Sequence, residues 1–455
     1  MSRVGPSIVA RRRMAGLSLV ELMIALVMAL IVAAGIISVF ESTSNGNKVQ
    51  AQMAALQEQG RFAIQSLRSD LANANSGYCS NTGGNAGQTA SNLYLDALRS
   101  PTVYAETALA LPDNTVTTLP TPTQAYSLPS SLYMRGYDCT VGNPCTPAGL
   151  TGLAPEIPPI GTLVGDRVPG TDVLTIRYIR PGSGWSIGSP GGSFITATSG
   201  VVTGIQLVQL PGEDPVSDFT GTVAMLADCS NAQVFTVTNS GGGALAPVAA
   251  PSNYAQPLDI TQNAAARVFD FTRDFQTVTY FLQVVCANNT TPCTGTTTGE
   301  LVRVVDGGTA NAANGGSTQA LVSGVERLDF RYGIIGPDGL TRFLTATELD
   351  TGIDASGNPI ASCPPGVSTP GGMPDDPADG CLWRAVQSIQ VSILMDGQTP
   401  LYTLTPAELN YIYTPDSAAM EAPAAHAVPP SAQGFPNQLI RRQFTALVSL
   451  RNFNP

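Results

Sequence analysis

Between Leu17 and Phe40 the chain holds 24 residues, of which only Ser18, Glu21 and Ser38 are polar. As a helix this run is about 36 Å long, enough to cross the ~30 Å hydrocarbon core of a bilayer. No other stretch constrains the chain so strongly. It also poses a problem, because a carboxylate near the bilayer centre costs roughly 2.5–3.5 kcal/mol. Glu21 therefore calls for a partner or a task.

The residues before and after the run admit three readings. Arg3, Arg11, Arg12 and Arg13 precede it, and "VAAG" at 32–35 supplies a small-residue site, as a secretory signal peptide requires. An uncleaved membrane anchor is the second reading. The third places a cut between Gly16 and Leu17, ahead of the apolar run. In each case the arginines stay cytoplasmic and the body is exported. Beyond the run, Val49, Met53, Leu56, Gly60, Ile64, Leu67 and Leu71 recur at helical spacing. No proline interrupts Leu17 to Asn75, so one helix of almost sixty residues is expected, loosened near "STSNGN" at 42–47.

The rest of the chain reads as β-rich. Glycine (46) and proline (35) are abundant and charged residues make up only 12%, which suits strands and loops more than a helical bundle. "LTIRYI" at 174–179 and "TVTYFLQVV" at 277–285 carry β-branched and aromatic residues. In "SIQVSI", Ile389, Val391 and Ile393 alternate with polar residues, and Phe444, Ala446, Val448 and Leu450 share one face of "FTALVSL". "GPDGLTR" at 336–342 reads as a hairpin turn. The expected class is α+β: a long N-terminal helix, apolar then amphipathic, packed on an antiparallel sheet with long loops.

Charge and cysteine content narrow the function. The net charge is −11, with four of the basic residues already placed before the apolar run. Such a body is poorly suited to nucleic-acid phosphates. All eight cysteines lie beyond the run, which favours disulfides in an oxidising compartment. Eight cysteines allow 105 connectivities. Short loops suggest Cys139–Cys145, Cys286–Cys293 and Cys363–Cys381, leaving Cys79 with Cys229.

The signals for enzyme chemistry are weak. "GWSIG" at 184–188 matches a nucleophile elbow around Ser186, but that motif needs a helix after the serine and "SPGGSF" starts none. The sole histidine, His426, sits in the loop-like "APAAHAVPP". The acidic clusters "DTGID" at 350–354 and "PDDPADG" at 374–380 lack EF-hand spacing and read as solvated loops. No C-x-x-C pair supports a zinc site. No enzymatic activity, metal or cofactor is expected.

"GLSLVELMIAL" at 16–26 resembles the type IV prepilin signature, with a basic leader, a glycine and then a glutamate as fifth residue of the mature chain. The resemblance implies cleavage after Gly16 by a prepilin peptidase and N-methylation of Leu17, where family members more often have phenylalanine. "DVLTIRYI" at 172–179, "LADCSNAQVFTVT" at 226–238, "LVSGVERLDFRYG" at 321–333, "RAVQSIQVSIL" at 384–394 and "RRQFTALVSLRN" at 441–452 resemble the PilW minor pilins. The stretches 95–165, 240–270 and 345–380 match least and read as loops or insertions.

The implied organisation is a leader (1–16), a membrane and filament-core helix (17–40), its amphipathic continuation (41–75) and an exported body (76–455). The implied function is a minor pilin that primes type IV pilus assembly near the tip, in adhesion and twitching. Its implied partners are other minor pilins, the major pilin, a PilY-type adhesin and the inner-membrane assembly platform. It would be held in the inner membrane, N-terminus cytoplasmic, and then pass to the pilus at the cell surface. Within that resemblance Glu21 acquires a task. In a bundle of staggered parallel helices it can meet the free amine of a neighbour's Leu17 and set axial register. A type II secretion pseudopilin of the J type shares the same N-terminus and is the alternative. A soluble secreted binding protein is the third.

Overall fold

A computed structural model describes residues 18–74, 87–88, 94–95, 101–106, 125–128, 132–142, 145–147, 157–188, 195–227, 232–254, 257, 266–288, 290–309, 312, 315–336, 339–360, 381–401 and 404–450. Two compact units make up the chain, Met1–Ala55 and Leu56–Pro455. The helix α1 (Leu19–Leu71) is 53 residues long and runs without a break through 42–47. The expected loosening there is absent, because neither Asn45, Gly46 nor Asn47 removes a backbone donor as proline would.

After α1 come β1 (Gly87–Gln88), β2 (Tyr94–Leu95), β3 (Thr102–Val103), β4 (Tyr126–Ser127), β5 (Met134–Tyr137) and β6 (Val173–Ile179). Seven strands follow: β7 (Trp185–Ile187), β8 (Ile195–Thr198), β9 (Val201–Val208), β10 (Val223–Ala227), β11 (Ala232–Asn239), β12 (Ala244–Pro247) and β13 (Arg267–Asp270). A short helix α2 (Phe271–Asp274) leads into β14 (Phe275–Cys286), β15 (Thr297–Val305), β16 (Ser317–Ser323), β17 (Val325–Ile335) and β18 (Thr341–Leu344). The helix α3 (Ala346–Thr351), β19 (Ser388–Asp396), β20 (Tyr411–Tyr413), β21 (Ser417–Glu421) and β22 (Arg441–Ser449) complete the order. The fold is α+β, with an antiparallel body behind a long N-terminal helix.

Two antiparallel sheets of the body are ordered β16-β15-β14-β6-β5 and β18-β17-β19-β22. The chain passes from one to the other at Gly324, which sits at φ +82° and donates its N–H to Gly299 O at 2.8 Å. That left-handed conformation suits glycine. The turn after β17 closes by Gly336 N–H to Leu340 O, as the "GPDG" reading expects.

A third body of strands was not expected. β10, β13, β7, β9, β12 and β11 pair in sequence, and β11 pairs back with β10, so the ladder closes into a six-stranded barrel. Its interior holds Trp185, Ile205, Leu207, Leu226, Phe235, Val237 and Leu245. The opposite face of β10 and β11 packs Met225 and Val234 against Ile179, Phe271 and Phe275. The barrel lies between β6 and β14, which pair directly at Ile179 and Phe275. Residues 240–270, read as a loop, therefore supply β12 and β13. Burying both faces of β10 stores apolar area without the period-two alternation that marks a half-exposed strand.

Residues 346–351, in a stretch also read as loop, form α3, with Thr345 as its N-cap. Thr345 and Glu348 make a capping box: Glu348 N–H donates to Thr345 Oγ1 at 3.1 Å, and Thr345 N–H to Glu348 Oε2 at 2.8 Å. The T-x-x-E spacing carried that signal.

Candidate functional site

The apolar run forms the first part of α1. Ser18 begins it, accepting the Glu21 backbone N–H on its hydroxyl at 3.2 Å. Glu21 thus stands at the third helical position, where a carboxylate is favoured by the positive end of the helix dipole. Every large apolar side chain from Leu19 to Phe40 is 54–75% exposed. This segment is long and apolar enough to cross a membrane. Gly16 and Leu17, the expected cleavage and methylation positions, lie outside the described residues.

The later turns of α1, from Leu56 on, are seated on the body. Leu56, Gly60, Ala63, Leu67 and Leu71 are buried. Ala63 takes the place that the stripe gave to Ile64, which is half-buried. At Gly60 a Cβ would come within 2.5 Å of the Phe444 ring on β22, so the absence of a side chain lets helix and strand approach. One helical stretch further on, Asp70 collects three donors from three strands. Tyr178 Oη on β6 lies 3.2 Å from Oδ1, and Tyr280 Oη on β14 lies 2.5 Å from Oδ2. Arg303 Nε on β15 lies 2.5 Å from the same Oδ2. Burial and the Asp70 charge push both phenols upward, so they stay protonated donors. Burial opposes the Arg303 charge, but its hydrogen bond to Asp70, the Asp70 charge and the neighbouring Tyr280 and Tyr178 together outweigh that and hold the guanidinium charged.

The second sheet carries a buried ionic core. Arg441 on β22 grips Glu326 on β17 through Nε–Oε2 at 2.6 Å and Nη2–Oε1 at 2.7 Å, both side chains fully buried. Burial pushes the Glu326 carboxyl up to about 7 against the pull of Arg441. Beside this pair, Arg327 holds Asp416 at 2.9 and 3.1 Å. These contacts pin β17, β22 and the excursion at 401–440 together; breaking one by removing a single partner costs about 3–5 kcal/mol.

This second sheet, with β14, β15 and β16 of the first, is what the family comparison recognises. Residues 279–452 match the PilW model, described as type IV pilus-assembly protein W. This region belongs to the PilW family. No curated protein and no solved structure matches the chain. The match covers three of the five body segments that resemble PilW minor pilins, at 321–333, 384–394 and 441–452. The segments at 172–179 and 226–238 lie outside it, the first on β6 and the second mainly on barrel strands β10 and β11. The PilW family is one of pilus-assembly components, and the matched strands β14, β15 and β22 carry part of the surface on which residues 56–71 of α1 sit.

The remaining candidate residues have structural roles where they are described. Cys139 is joined to Cys145 and Cys286 to Cys293, with Cα–Cα distances of 4.2 and 5.4 Å. Cys79, Cys229 and Cys363, and the side chain of Cys381, lie outside the described residues. Ser186 sits within strand β7, and its hydroxyl donates to Glu213 Oε1 at 2.7 Å. That position lacks the strand-to-helix turn of a nucleophile elbow. His426 lies in a loop, as expected, but is buried and stacked on Tyr411 with ring centroids 3.9 Å apart. Asp350 of "DTGID" accepts from Trp383 Nε1 at 3.0 Å and Arg135 Nη2 at 2.9 Å, so it is no solvated loop residue. The cluster at 374–380 lies outside the described residues. Asp70, Gly60 as a contact glycine, and the Glu326–Arg441 pair were not singled out from sequence.

Proposed function

We propose that this chain is a minor pilin of a type IV pilus, which primes assembly and stands at or near the filament tip. The supporting observation is the PilW match over residues 279–452 downstream of an exposed apolar helix with Glu21 in its first turn. In this reading residues 1–16 are a leader, a prepilin peptidase cuts after Gly16, and Leu17 becomes the N-methylated terminus. Residues 17–40 hold the protein in the inner membrane until the assembly platform extracts it. Helix packing with other minor pilins and the major pilin then replaces lipid around the same apolar side chains. Glu21 offers its carboxylate to the amine of a neighbouring Leu17, so that two charges costly in hydrocarbon compensate each other. A PilY-type adhesin is the partner at the tip, and adhesion and twitching motility are the outputs.

Mass spectrometry of the mature protein tests the processing step. The expected terminus is a methylated Leu17; an intact leader, or a terminus after Ala34, overturns this reading. Co-purification from native membranes should recover other pilins in fixed ratio.

A further inference from the structure

We propose that β22 is a strand-addition site, which takes an extended segment of another pilus component along its open edge. The inference rests on the reading of this chain as a pilus-assembly component and names the surface that such a partner uses. β22 ends the second sheet, and among the described residues only β19 pairs with it. The ladder is flanked by Gly397 N–H to Ile440 O and by Leu450 N–H to Gln387 O, both 2.9 Å. Even-numbered residues of β22 therefore bond toward β19, and the N–H and C=O of Gln443, Thr445, Leu447 and Ser449 point outward.

Other sheet ends in the body are blunted as natural edges are. β5 and β18 have four residues each. β16 pairs with β15 through a bulge at Leu301/Val302. β22 has nine residues and an unbroken register. After Arg441 and Arg442, the run from Gln443 to Ser449 contains neither charge nor proline.

The chemistry of such an edge selects its occupant. A row of alternating outward donors and acceptors is satisfied in register only by another extended backbone. The side chains flanking it differ by face: Leu447, 57% exposed, stands among polar Gln443, Thr445 and Ser449 on one, and half-buried Phe444 and Ala446 line the other. The incoming strand is thus apolar on the face beside Phe444 and Ala446 and polar or β-branched on the other, over about seven residues. Because Phe444 also touches Gly60, the added strand lies beside the contact that seats α1 on the body.

Amide hydrogen exchange on the isolated protein and on its purified native complex tests this. In the isolated protein, Thr445, Leu447 and Ser449 amides should exchange fast while those of Phe444, Ala446 and Val448 are protected. In the complex the outward amides should slow by at least about tenfold. Leu447→Pro removes an outward N–H and leaves the β19 ladder intact. It should keep the thermal midpoint close to wild type and reduce partner recovery about tenfold or more. Outward amides that stay fast in the complex, or full recovery by Leu447→Pro, overturn the proposal. Protection that rises with concentration of the isolated protein makes a second copy the occupant and also overturns it. If wild type recovers no pilus component, the assembly reading itself falls, and the edge proposal with it.

Discussion

In α1, the large apolar side chains of residues 19–40 are 54–75% exposed, whereas Leu56, Ala63, Leu67 and Leu71 are at most 1% exposed. The two stretches differ in what surrounds their apolar positions along the helix. Between Leu56 and Leu71 they alternate with Gln57, Glu58, Arg61, Gln65 and Arg68, so one stripe is apolar and the rest meets water. Between Leu19 and Phe40 the helix is apolar all round, apart from Glu21 and Ser38. A stripe can be covered by a sheet of the same chain; a full cylinder needs apolar surroundings on every side. The PilW-matched strands β14, β15 and β22 bind the striped stretch, which joins the helix to the family region.

If the striped stretch depends on its polar clamp, Asp70→Ala should have the largest effect. It strips Arg303 and two phenols of their shared acceptor, and a loss of about 2–4 kcal/mol is expected from chemical unfolding of the body. Asp70→Asn should retain part of this, since an amide oxygen still accepts from the phenols. A loss below about 0.5 kcal/mol would show instead that the seat rests on apolar packing alone.

Two glycines separate packing from propensity along the same helix. Gly60→Leu should cost about 1–3 kcal/mol, because a Cβ already meets the Phe444 ring at 2.5 Å. Phe444→Ala in the same chain should recover part of that loss, and the double-mutant cycle measures how much. Gly46→Ala is the opposite case: a Cβ there meets nothing within 4 Å. Helix propensity then acts alone and should slow amide exchange around residue 46 by the equivalent of about 0.5–1 kcal/mol.

Glu21→Ala should have the smallest effect on the fold. Its side chain is exposed, so the unfolding midpoint of the body should stay within about 0.5 kcal/mol of wild type. Its consequence is expected in assembly: normal membrane abundance, with weaker recovery of partner pilins and fewer surface pili. Collapse of abundance would give Glu21 a role in folding or retention. Equal abundance, recovery and piliation would remove the register role.

The sequence alone determined the elements that follow from local pattern. An unbroken apolar run, a helical stripe without proline and a period-two strand at 444–450 each report their own surroundings, because exposure repeats with the geometry of the element; the alternation at 388–394 marks a strand too, but one buried on both faces. The prepilin-like "GLSLVELMIAL" was equally local. Tertiary structure decided what depends on residues distant in the chain. Nothing near Asp70 announces that Tyr178, Tyr280 and Arg303 converge on it from three strands. The closed barrel was hidden because β10 is buried on both faces and the barrel strands β7, β12 and β13 have three or four residues each. The edge of β22 was hidden too: a strand's own residues set which side chains alternate, but only the order of strands leaves one row of its backbone groups without a neighbouring strand among the described residues.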